Sequence, residues 1–325
     1  MATQTVGGKP RSLLGALPDE FRTHDLDQTA IPRIARDQVL LASIEEAVRS
    51  LPTHHELMLG DARDLSAIVS ESVHLVVTSP PYWTLKHYTP SEAQLGSVED
   101  FDEFLTDLNQ VWRECFRVLV PGGRVICVVG DVLLSRRRNQ GRHTVVPLHA
   151  AIQLHCRDIG YDNLAPIIWH KIGNADYEAG GSGFLGKPYE PNAIIKNDVE
   201  YILFQRKPGG YRSPTAEMRI LSVISEGNYQ QWFRQIWSDV GGASTRSHPA
   251  PYPEQLAERL VRMYSFVGDV VLDPFLGTGT TSVAAGRWGR NSIGVEIDPG
   301  YMDLAEARLR REAADLFRHL AITRR

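Results

Sequence analysis

One short string in this sequence combines the residue types needed to hold an amine beside a flat ring: Thr78-Ser79-Pro80-Pro81-Tyr82-Trp83. Two consecutive prolines restrict the backbone and lack N–H groups, so the carbonyl oxygens of the turn are acceptors with little local competition. Ser79 adds a side-chain acceptor and Tyr82 an aromatic face. An exocyclic amine has two N–H donors, and such a turn can accept both and rotate the nitrogen lone pair toward a methyl donor. We refer to residues 79–82 as the clamp.

A second string, DPFLGTGTT from Asp273 to Thr281, is typical of a ligand-binding turn between a strand and a helix. Its glycines permit positive φ and close approach to the backbone, and the helix start adds oriented N–H groups. Glu296 ends the next predicted strand, where nucleotide folds place an acid against ribose hydroxyls. A dinucleotide site is the obvious alternative, but the third glycine is missing and an acid at the turn would repel pyrophosphate. The same acid suits the ammonium of S-adenosylmethionine. The residues predicted to bind this cofactor are Thr78, Asp273, Pro274, Phe275, Gly277, Gly279, Thr280, Thr281 and Glu296.

The elements that position these strings alternate between strands and helices. Apolar runs at residues 73–77 and 124–129 are typical of strands buried on both faces. Residues 101–119 have the apolar spacing of a helix, which Pro121-Gly122-Gly123 ends. The alternation predicts an α/β fold with a mostly parallel sheet covered on both faces. In such sheets ligands bind beyond the carboxyl ends of the strands, and both strings follow a predicted strand.

The chain divides into three predicted parts. Residues 1–54 form an N-terminal extension with one helix, and the first 35 of them are loosely held because they are polar and contain several Gly and Pro residues. Residues 55–312 form the catalytic domain. Residues 313–325 are the end of a helix and a basic tail.

Composition and charge exclude some classes and leave others open. The apolar share is 42%, and no run of about 18 apolar residues exists, which excludes a membrane-spanning helix. The start of the chain has no signal-peptide pattern. Three cysteines without metal spacing predict reduced, mostly buried thiols in a cytoplasmic protein, with no metal site.

The net charge of −4 argues mildly against binding of nucleic acid, but what matters for such binding is the distribution of charge. One short stretch is strongly basic and comprises Arg136, Arg137, Arg138, Arg142 and His143.

The order of the two strings, clamp first and glycine-rich turn later, resembles the permuted β class of S-adenosylmethionine-dependent DNA amino-methyltransferases. The resemblance extends from about residue 55 to residue 311 and implies a Rossmann-like fold with a mostly parallel seven-stranded sheet. It implies S-adenosylmethionine as the cofactor and double-stranded DNA as the partner, and it leaves open a cognate restriction endonuclease and a homodimer. Further strings that carry it are Gly122-Gly123-Arg124, Trp169-His170-Lys171, Glu190-Pro191-Asn192, Glu200-Tyr201-Ile202-Leu203-Phe204 and Asn291-Ser292-Ile293-Gly294-Val295-Glu296.

The resemblance also implies roles for single residues. Asp61 is in the family's position for contacting the adenine amino group of the cofactor, and His248 and Pro249 lie beside its methionyl end. From sequence alone, Asp61 is equally well read as a surface turn residue, and the segment at His248 as a stiff connector. Relatives that methylate adenine usually carry Asp or Asn where this chain has Ser79, so the expected target is cytosine N4. An adenine-N6 enzyme, an RNA amine methyltransferase and a silent DNA-binding relative are the alternatives.

The target base must leave the helix stack to reach the clamp. Tyr82, Trp83 and, as a further candidate, Tyr88 are predicted to stack on the flipped base, with core packing the alternative for Trp83. Ser79 is a poor base, so Asp131 at a neighbouring strand end is predicted to assist it. The aperiodic segments 173–192 and 207–247 are predicted to recognise the target. Residues predicted to contact DNA are Arg136, Arg137, Arg138 and Lys171.

Overall fold

The computed structural model describes residues 16–18, 21, 30–83, 94–134, 136–137, 139–171, 197–242, 253–315 and 320–325. Within these residues the strands are β1 (Thr53–Leu59), β2 (Val73–Thr78), β3 (Leu119–Val129), β4 (Val132–Leu134), β5 (Thr144–Val146), β6 (Asp162–His170), β7 (Val199–Arg206), β8 (Ile236–Trp237), β9 (Val270–Asp273), β10 (Asn291–Glu296) and β11 (Leu320–Arg324). The helices are α1 (Ala30–Ile34), α2 (Gln38–Arg49), α3 (Phe101–Val118), α4 (Leu148–Ile159), α5 (Ala216–Leu221), α6 (Glu226–Trp232), α7 (Glu254–Tyr264), α8 (Thr280–Arg287) and α9 (Pro299–Asp315). A 3₁₀ helix spans Leu95–Ser97.

Nine of these strands form one sheet in the order β11-β1-β10-β9-β2-β3-β7-β6-β8. Among the described strands of this sheet only β7 is antiparallel to its neighbours, pairing with β3 and β6. All the others therefore end at one edge, which we call the carboxyl edge, and β7 begins there. The predicted α/β fold with a mostly parallel sheet is confirmed.

The sheet has two strands more than the seven predicted. β8 is only two residues long and lies in a segment without periodicity. β11 pairs with β1 at the other end of the sheet, where the sequence predicted the end of a helix and a basic tail. The helix instead ends at Asp315. A short edge strand such as β11 is half exposed and lacks the continuous apolar run by which buried strands are recognised.

Helices cover both faces of the sheet. On one face α3 and α4 pack on β2 and β3, burying Trp112 and Phe104 together with the thiols of Cys115, Cys127 and Cys156. On the other face α7 and α8 pack on the same strands through the alternate side chains, such as Leu75 and Val77. Asp100 caps α3, because its side chain accepts a hydrogen bond from the Glu103 N–H. No helix in the described part of the chain is both long and apolar enough to span a bilayer.

The N-terminal region is more ordered than its composition indicates. Leu17 and Phe21 are buried, and with Ile34 they form an apolar cluster with α2 and α5. The prediction of a loosely held extension is therefore wrong for these residues, and the described part of the region has two helices, α1 and α2, where one was predicted. Leu17 and Phe21 lie before the regularly spaced apolar residues of α2, and their cluster includes residues of α5, which is distant in sequence.

The segment 207–247, described as far as Gly242, is built into the domain. Lys207 exchanges two backbone hydrogen bonds with Gly122 and Gly123, and Arg212 pairs with Asp269. These contacts lie at the edge where the parallel strands begin, opposite the carboxyl edge. The chain then returns through α5 and α6, and β8 pairs parallel with β6. The first half of the predicted recognition segment is thus remote from the clamp.

Candidate active site at the carboxyl edge

Asp273 holds the glycine-rich turn through hydrogen bonds from its buried carboxylate. It ends β9 with only 1% of its surface exposed. Its carboxylate accepts hydrogen bonds from the Thr78 hydroxyl at 2.7 Å, from the Thr281 hydroxyl at 2.6 Å and from the Phe275 N–H at 3.1 Å. These bonds join the ends of β2 and β9 to the first turn of α8. Burial raises the pKa of Asp273 to about 6, because the loss of hydration outweighs the three donors.

The sequence predicted that Asp273 contacts the cofactor directly, which stays a prediction; in the structure its carboxylate holds the turn together. Both carboxylate oxygens are engaged within the protein, and Asp273 lies behind the described residues that line the adjoining cleft. Thr78 and Thr281 are its partners there, and Gly279 and Thr280 are likewise behind the lining. Gly279 adopts φ +82, and a Cβ on it would lie 3.1 Å from the Ala305 Cβ, so packing of α8 against α9 requires glycine.

Glu296 is the acid that faces the cleft. It ends β10 next to the glycine-rich turn, and its carboxylate accepts from the N–H groups of Gly277 at 2.7 Å, Asp298 at 2.9 Å and Ile297 at 3.0 Å. Burial raises its pKa, although these donors oppose the shift. The turn is held on β10 because the Leu276 N–H donates to the Val295 carbonyl at 2.9 Å. The carboxylate is thus fixed in place at the cleft before any ligand binds.

The cleft encloses about 600 Å³ of non-atom space, part of it open to solvent. Asp61 lines it from the end of β1, as predicted. Arg63 binds the Asp61 carboxylate through its side chain at 2.6–3.1 Å and reaches Asp107 of α3 at 2.7 Å. The described residues lining the cleft are Gly60, Asp61, Ala62, Ser79, Pro81, Gln94, Leu95, Pro274, Phe275, Gly277, Val295, Glu296, Ile297 and Tyr301.

The clamp adjoins the cleft on the side of β2. Ser79 and Pro81 line it, whereas Pro80 and Tyr82 are buried. Tyr82 packs on Gly130, where a Cβ atom would lie 3.4 Å from its ring. The serine oxygen and the tyrosine ring therefore occupy different sides of the same turn.

Trp83 follows the clamp with φ +39, a conformation rare for a bulky residue and often found at functional sites. Its ring packs edge-on against Phe101 of α3, with centroids 5.0 Å apart. The structure thus places Trp83 in the core packing that was the alternative to base stacking.

Asp131, the predicted assistant acid, lies just beyond β3 at the same edge. Its carboxylate accepts from His149 Nδ1 at 2.6 Å and from the His149 N–H at 3.3 Å. The imidazole stacks on the Tyr201 ring with centroids 3.8 Å apart. Sequence reasoning missed His149, which stands directly after the start of α4, because its partner is separated from it by the β4–β5 hairpin.

Lys171 and Glu200 form an ion pair where β6 ends and β7 begins. Lys171 was predicted from sequence to contact DNA, but its partner Glu200 was only part of a matching string. Arg63, which holds Asp61, was also missed, although its position two residues after Asp61 could have indicated it.

The hairpin of β4 and β5, residues 132–146, extends from the carboxyl edge directly after Asp131. We call it the basic hairpin. Its exposed basic residues are Arg136, Arg137, Arg142 and His143. Predicted residues outside the described part of the chain are Tyr88, Arg138, His248, Pro249 and the segment 173–192.

Comparison with known proteins gives the family. The sequence model of a family described as DNA methylase, the N6 and N4 methyltransferases, matches residues 73–307. The chain belongs to this family. It is therefore a DNA methyltransferase, and the predicted resemblance is confirmed.

Relatives and solved structures agree with this assignment. The type II methyltransferase M.MjaI of Methanocaldococcus jannaschii is 38% identical over 289 residues, which cover 80% of this chain and 92% of that protein. M.MthZI of Methanothermobacter thermautotrophicus is 36% identical, with 80% and 77% covered. TTHA0409 of Thermus thermophilus, solved in complex with S-adenosyl-L-methionine, is 54% identical with a TM-score of 0.68, covering 83% of this chain and 98% of that one. The PvuII cytosine-N4 methyltransferase, 18% identical with a TM-score of 0.57, shares the fold.

Proposed function

We propose that this DNA methyltransferase transfers a methyl group from S-adenosylmethionine to the exocyclic N4 of a cytosine flipped out of duplex DNA. The observation that carries the proposal is the shared cleft: Ser79 of the clamp and the carboxylates of Glu296 and Asp61 line one cavity. A methyl acceptor held by the clamp and a cofactor held by the acids are then neighbours.

S-adenosylmethionine is the cofactor, as in TTHA0409, whose 54% identity extends over nearly its whole length. The chemistry of the cleft fits it. None of the described residues that line the cleft carries a positive charge, and two carry carboxylates. Such a lining disfavours a phosphate-bearing nucleotide and suits a ligand with an ammonium and a sulfonium. When bound, this cofactor supplies an electrophilic methyl group.

Two residues are proposed to hold the cofactor, and a third to shape the turn beside it. Glu296 accepts from the ribose hydroxyls, and its three backbone donors keep its oxygens oriented. Asp61 accepts from the adenine amino group, with Arg63 fixing the direction of its carboxylate. Asp273 has an indirect role, because it sets the shape of the turn at Phe275 and Gly277 without reaching the ligand.

The clamp acts on the amine. Ser79 and the carbonyls of the Pro-Pro turn accept the two N4–H bonds, so the nitrogen lone pair leaves conjugation and points toward the methyl carbon. The methyl group moves in one displacement, in which the N–C bond forms as the S–C bond breaks. The amine then loses one proton, for which the Asp131 carboxylate beside His149 is the proposed acceptor. The mechanism needs no covalent enzyme–base bond.

Cytosine is proposed as the target because Ser79 stands where adenine-specific relatives usually carry Asp or Asn. The duplex is proposed to lie across the basic hairpin and the second half of the segment 207–247, both at the carboxyl edge. A cognate restriction endonuclease is proposed as a functional partner, since M.MjaI and M.MthZI are type II methyltransferases. M.BamHII, 29% identical over 259 residues, is an orphan methyltransferase, which makes a solitary enzyme the alternative.

The decisive experiment identifies the methylated nucleoside. DNA from a methylation-deficient host that expresses the protein is digested to nucleosides and analysed by mass spectrometry. We expect N4-methylcytosine in the host with the native protein and far less of it with Ser79→Ala. N6-methyladenine would keep the mechanism and overturn the cytosine assignment, and a covalent adduct trapped on a fluorinated cytosine would contradict the mechanism.

A further inference from the structure

Lys171 and Glu200 form an ion pair whose acid is buried and whose cation is not. Glu200 stands at the start of β7, opposite Trp169 of β6, and only 12% of its side chain is exposed. The Lys171 side chain is 38% exposed, and its ammonium lies 5.1 Å from the centre of the Trp169 ring. Its backbone N–H donates to the Asp198 carbonyl at 2.9 Å. The ammonium is thus held at the carboxyl edge by a carboxylate and an aromatic face.

This ion pair is contiguous with the clamp. Gly130 separates them: a Cβ atom there would lie 3.2 Å from Glu200 Cγ and 3.4 Å from the Tyr82 ring. Any side chain at this position would press on both groups. Gly130 therefore borders both the Tyr82 ring of the clamp and the Glu200 side chain of the ion pair, and its lack of a side chain leaves room for each of them.

A second lysine–glutamate pair in this protein has a purely structural role and serves as a comparison. At the opposite edge of the sheet, Lys207 bonds Glu71 at 3.2 Å and the Leu119 carbonyl at 2.8 Å, and it lies 5.1 Å from the Phe116 ring centre. There the lysine side chain is 11% exposed and the glutamate 53%. The pair at the carboxyl edge has the reverse arrangement, with the carboxylate buried and the ammonium presented outward.

We propose that Lys171, oriented by Glu200, donates hydrogen bonds to the ring acceptors of the flipped cytosine, N3 and O2, while the clamp holds N4. This inference rests on the proposed function. Once both N4–H bonds are accepted by the clamp, the remaining polar atoms of the ring are acceptors and require a donor. The clamp itself provides acceptors and an aromatic face. An ammonium has three N–H donors, and the ion pair with Glu200 leaves others for the base.

The test separates a base contact from a phosphate contact. The recognition sequence is first read from the DNA methylated by the native protein. Affinity is then measured, with S-adenosylhomocysteine present, for two duplexes that differ only at the target position: one carries cytosine and the other an abasic site. For Lys171→Met we expect a roughly 10- to 100-fold loss on the cytosine duplex, and a change within about two-fold on the abasic one. Glu200→Gln should give the same pattern with a smaller loss, and Lys207→Met no change on either duplex.

Equal losses on both duplexes would overturn the proposal, because a phosphate contact does not depend on the base. Unchanged affinity for both would overturn it as well. Retained binding of S-adenosylhomocysteine confirms that each variant is folded, and Glu200→Gln carries the same comparison if the methionine variant is unstable. Failure of the proposed function is a different result, since the native protein would then yield no N4-methylcytosine.

Discussion

The cofactor side and the DNA side of the carboxyl edge differ in both charge and burial. On the cofactor side Asp273 and Glu296 are almost fully buried, and Asp61 is held by Arg63, so the acids are oriented by donors of the protein itself. On the DNA side the basic hairpin carries exposed cations. A small enclosed ligand binds well to side chains that are already oriented, whereas a polyanion is attracted by charges that remain in solvent. The net charge of −4 conceals this division.

Ser79 lies at the boundary between the two sides, so its removal should have the largest effect. In Ser79→Ala the cleft keeps Glu296 and Asp61 but the amine loses an acceptor used in the transition state. We expect methyl transfer to fall by roughly 100- to 1,000-fold, the range found when one oriented hydrogen bond to a transition state is removed. Cofactor affinity should be nearly unchanged. Single-turnover methylation and calorimetry measure the two quantities, with the exposed Ser66→Ala as control. An equal loss of cofactor binding would place Ser79 on the cofactor side alone.

Asp273 tests how far burial governs the cofactor side. Its pKa of about 6 lies above the ordinary value of 3.8, so the folded protein binds this proton more tightly than the unfolded chain does. The stabilisation is complete below about pH 4 and is lost as the pH rises through 6. The native protein should therefore lose on the order of 3 kcal/mol from this group between pH 4 and 7, relative to Asp273→Asn. Urea unfolding of both proteins across this range measures the difference. Parallel pH profiles would contradict the assignment.

Glu296 tests direct contact with the cofactor. Replacing it with Gln removes a charge-assisted acceptor, so cofactor affinity should fall by roughly 10- to 100-fold. The matched control is Glu312→Gln. Glu312 lies on α9, outside the cleft, and forms an ion pair with Arg287 at the end of α8. Calorimetry with S-adenosylmethionine measures both variants. Equal affinities in the two would remove Glu296 from the set of cofactor ligands.

The DNA side should respond with the smallest change for each residue altered. Arg136→Ala with Arg137→Ala should weaken binding to every duplex by a few-fold. The dependence of log affinity on log salt should also fall, by about 0.9 for each phosphate that the variant no longer neutralises. The exposed Arg157 on α4, near the opposite edge, is the control. Fluorescence anisotropy at several salt concentrations measures the slope. A slope equal to that of the native protein would show that the hairpin does not bind phosphate.

Much of the fold was predictable because its signals are local. The buried strands β2, β3, β9 and β10 contain short apolar runs, and α3 has a clear helical period. The bounds of most of these elements were therefore predicted to within a few residues. The predictions that failed concern elements whose burial depends on distant partners. Leu17 and Phe21 are buried in a cluster that also contains residues of α2 and α5, and β11 pairs with β1 at the edge of the sheet.

The candidate site divides in the same way. Ser79 and Glu296 were identified from residue type and from their places at strand ends, and Asp61 from the family resemblance; all three line the cleft. Arg63 and His149 were not identified, because nothing in their local sequence distinguishes them from other surface residues. Asp273 was identified, but its burial was not, because burial depends on how the neighbouring strands and α8 pack around it.

The sequence by itself determined which groups are available for chemistry and that the ends of parallel strands would carry them. Backbone restriction by Pro80 and Pro81, the glycines of the turn and the alternation of strands and helices all act within a few residues. The tertiary structure decided which groups meet. Strand order places β2 between β9 and β3, so that Thr78 bonds Asp273 on one side and the Tyr82 ring packs on Gly130 on the other. Such interactions join residues far apart in the chain, and only the packing of the sheet brings them together.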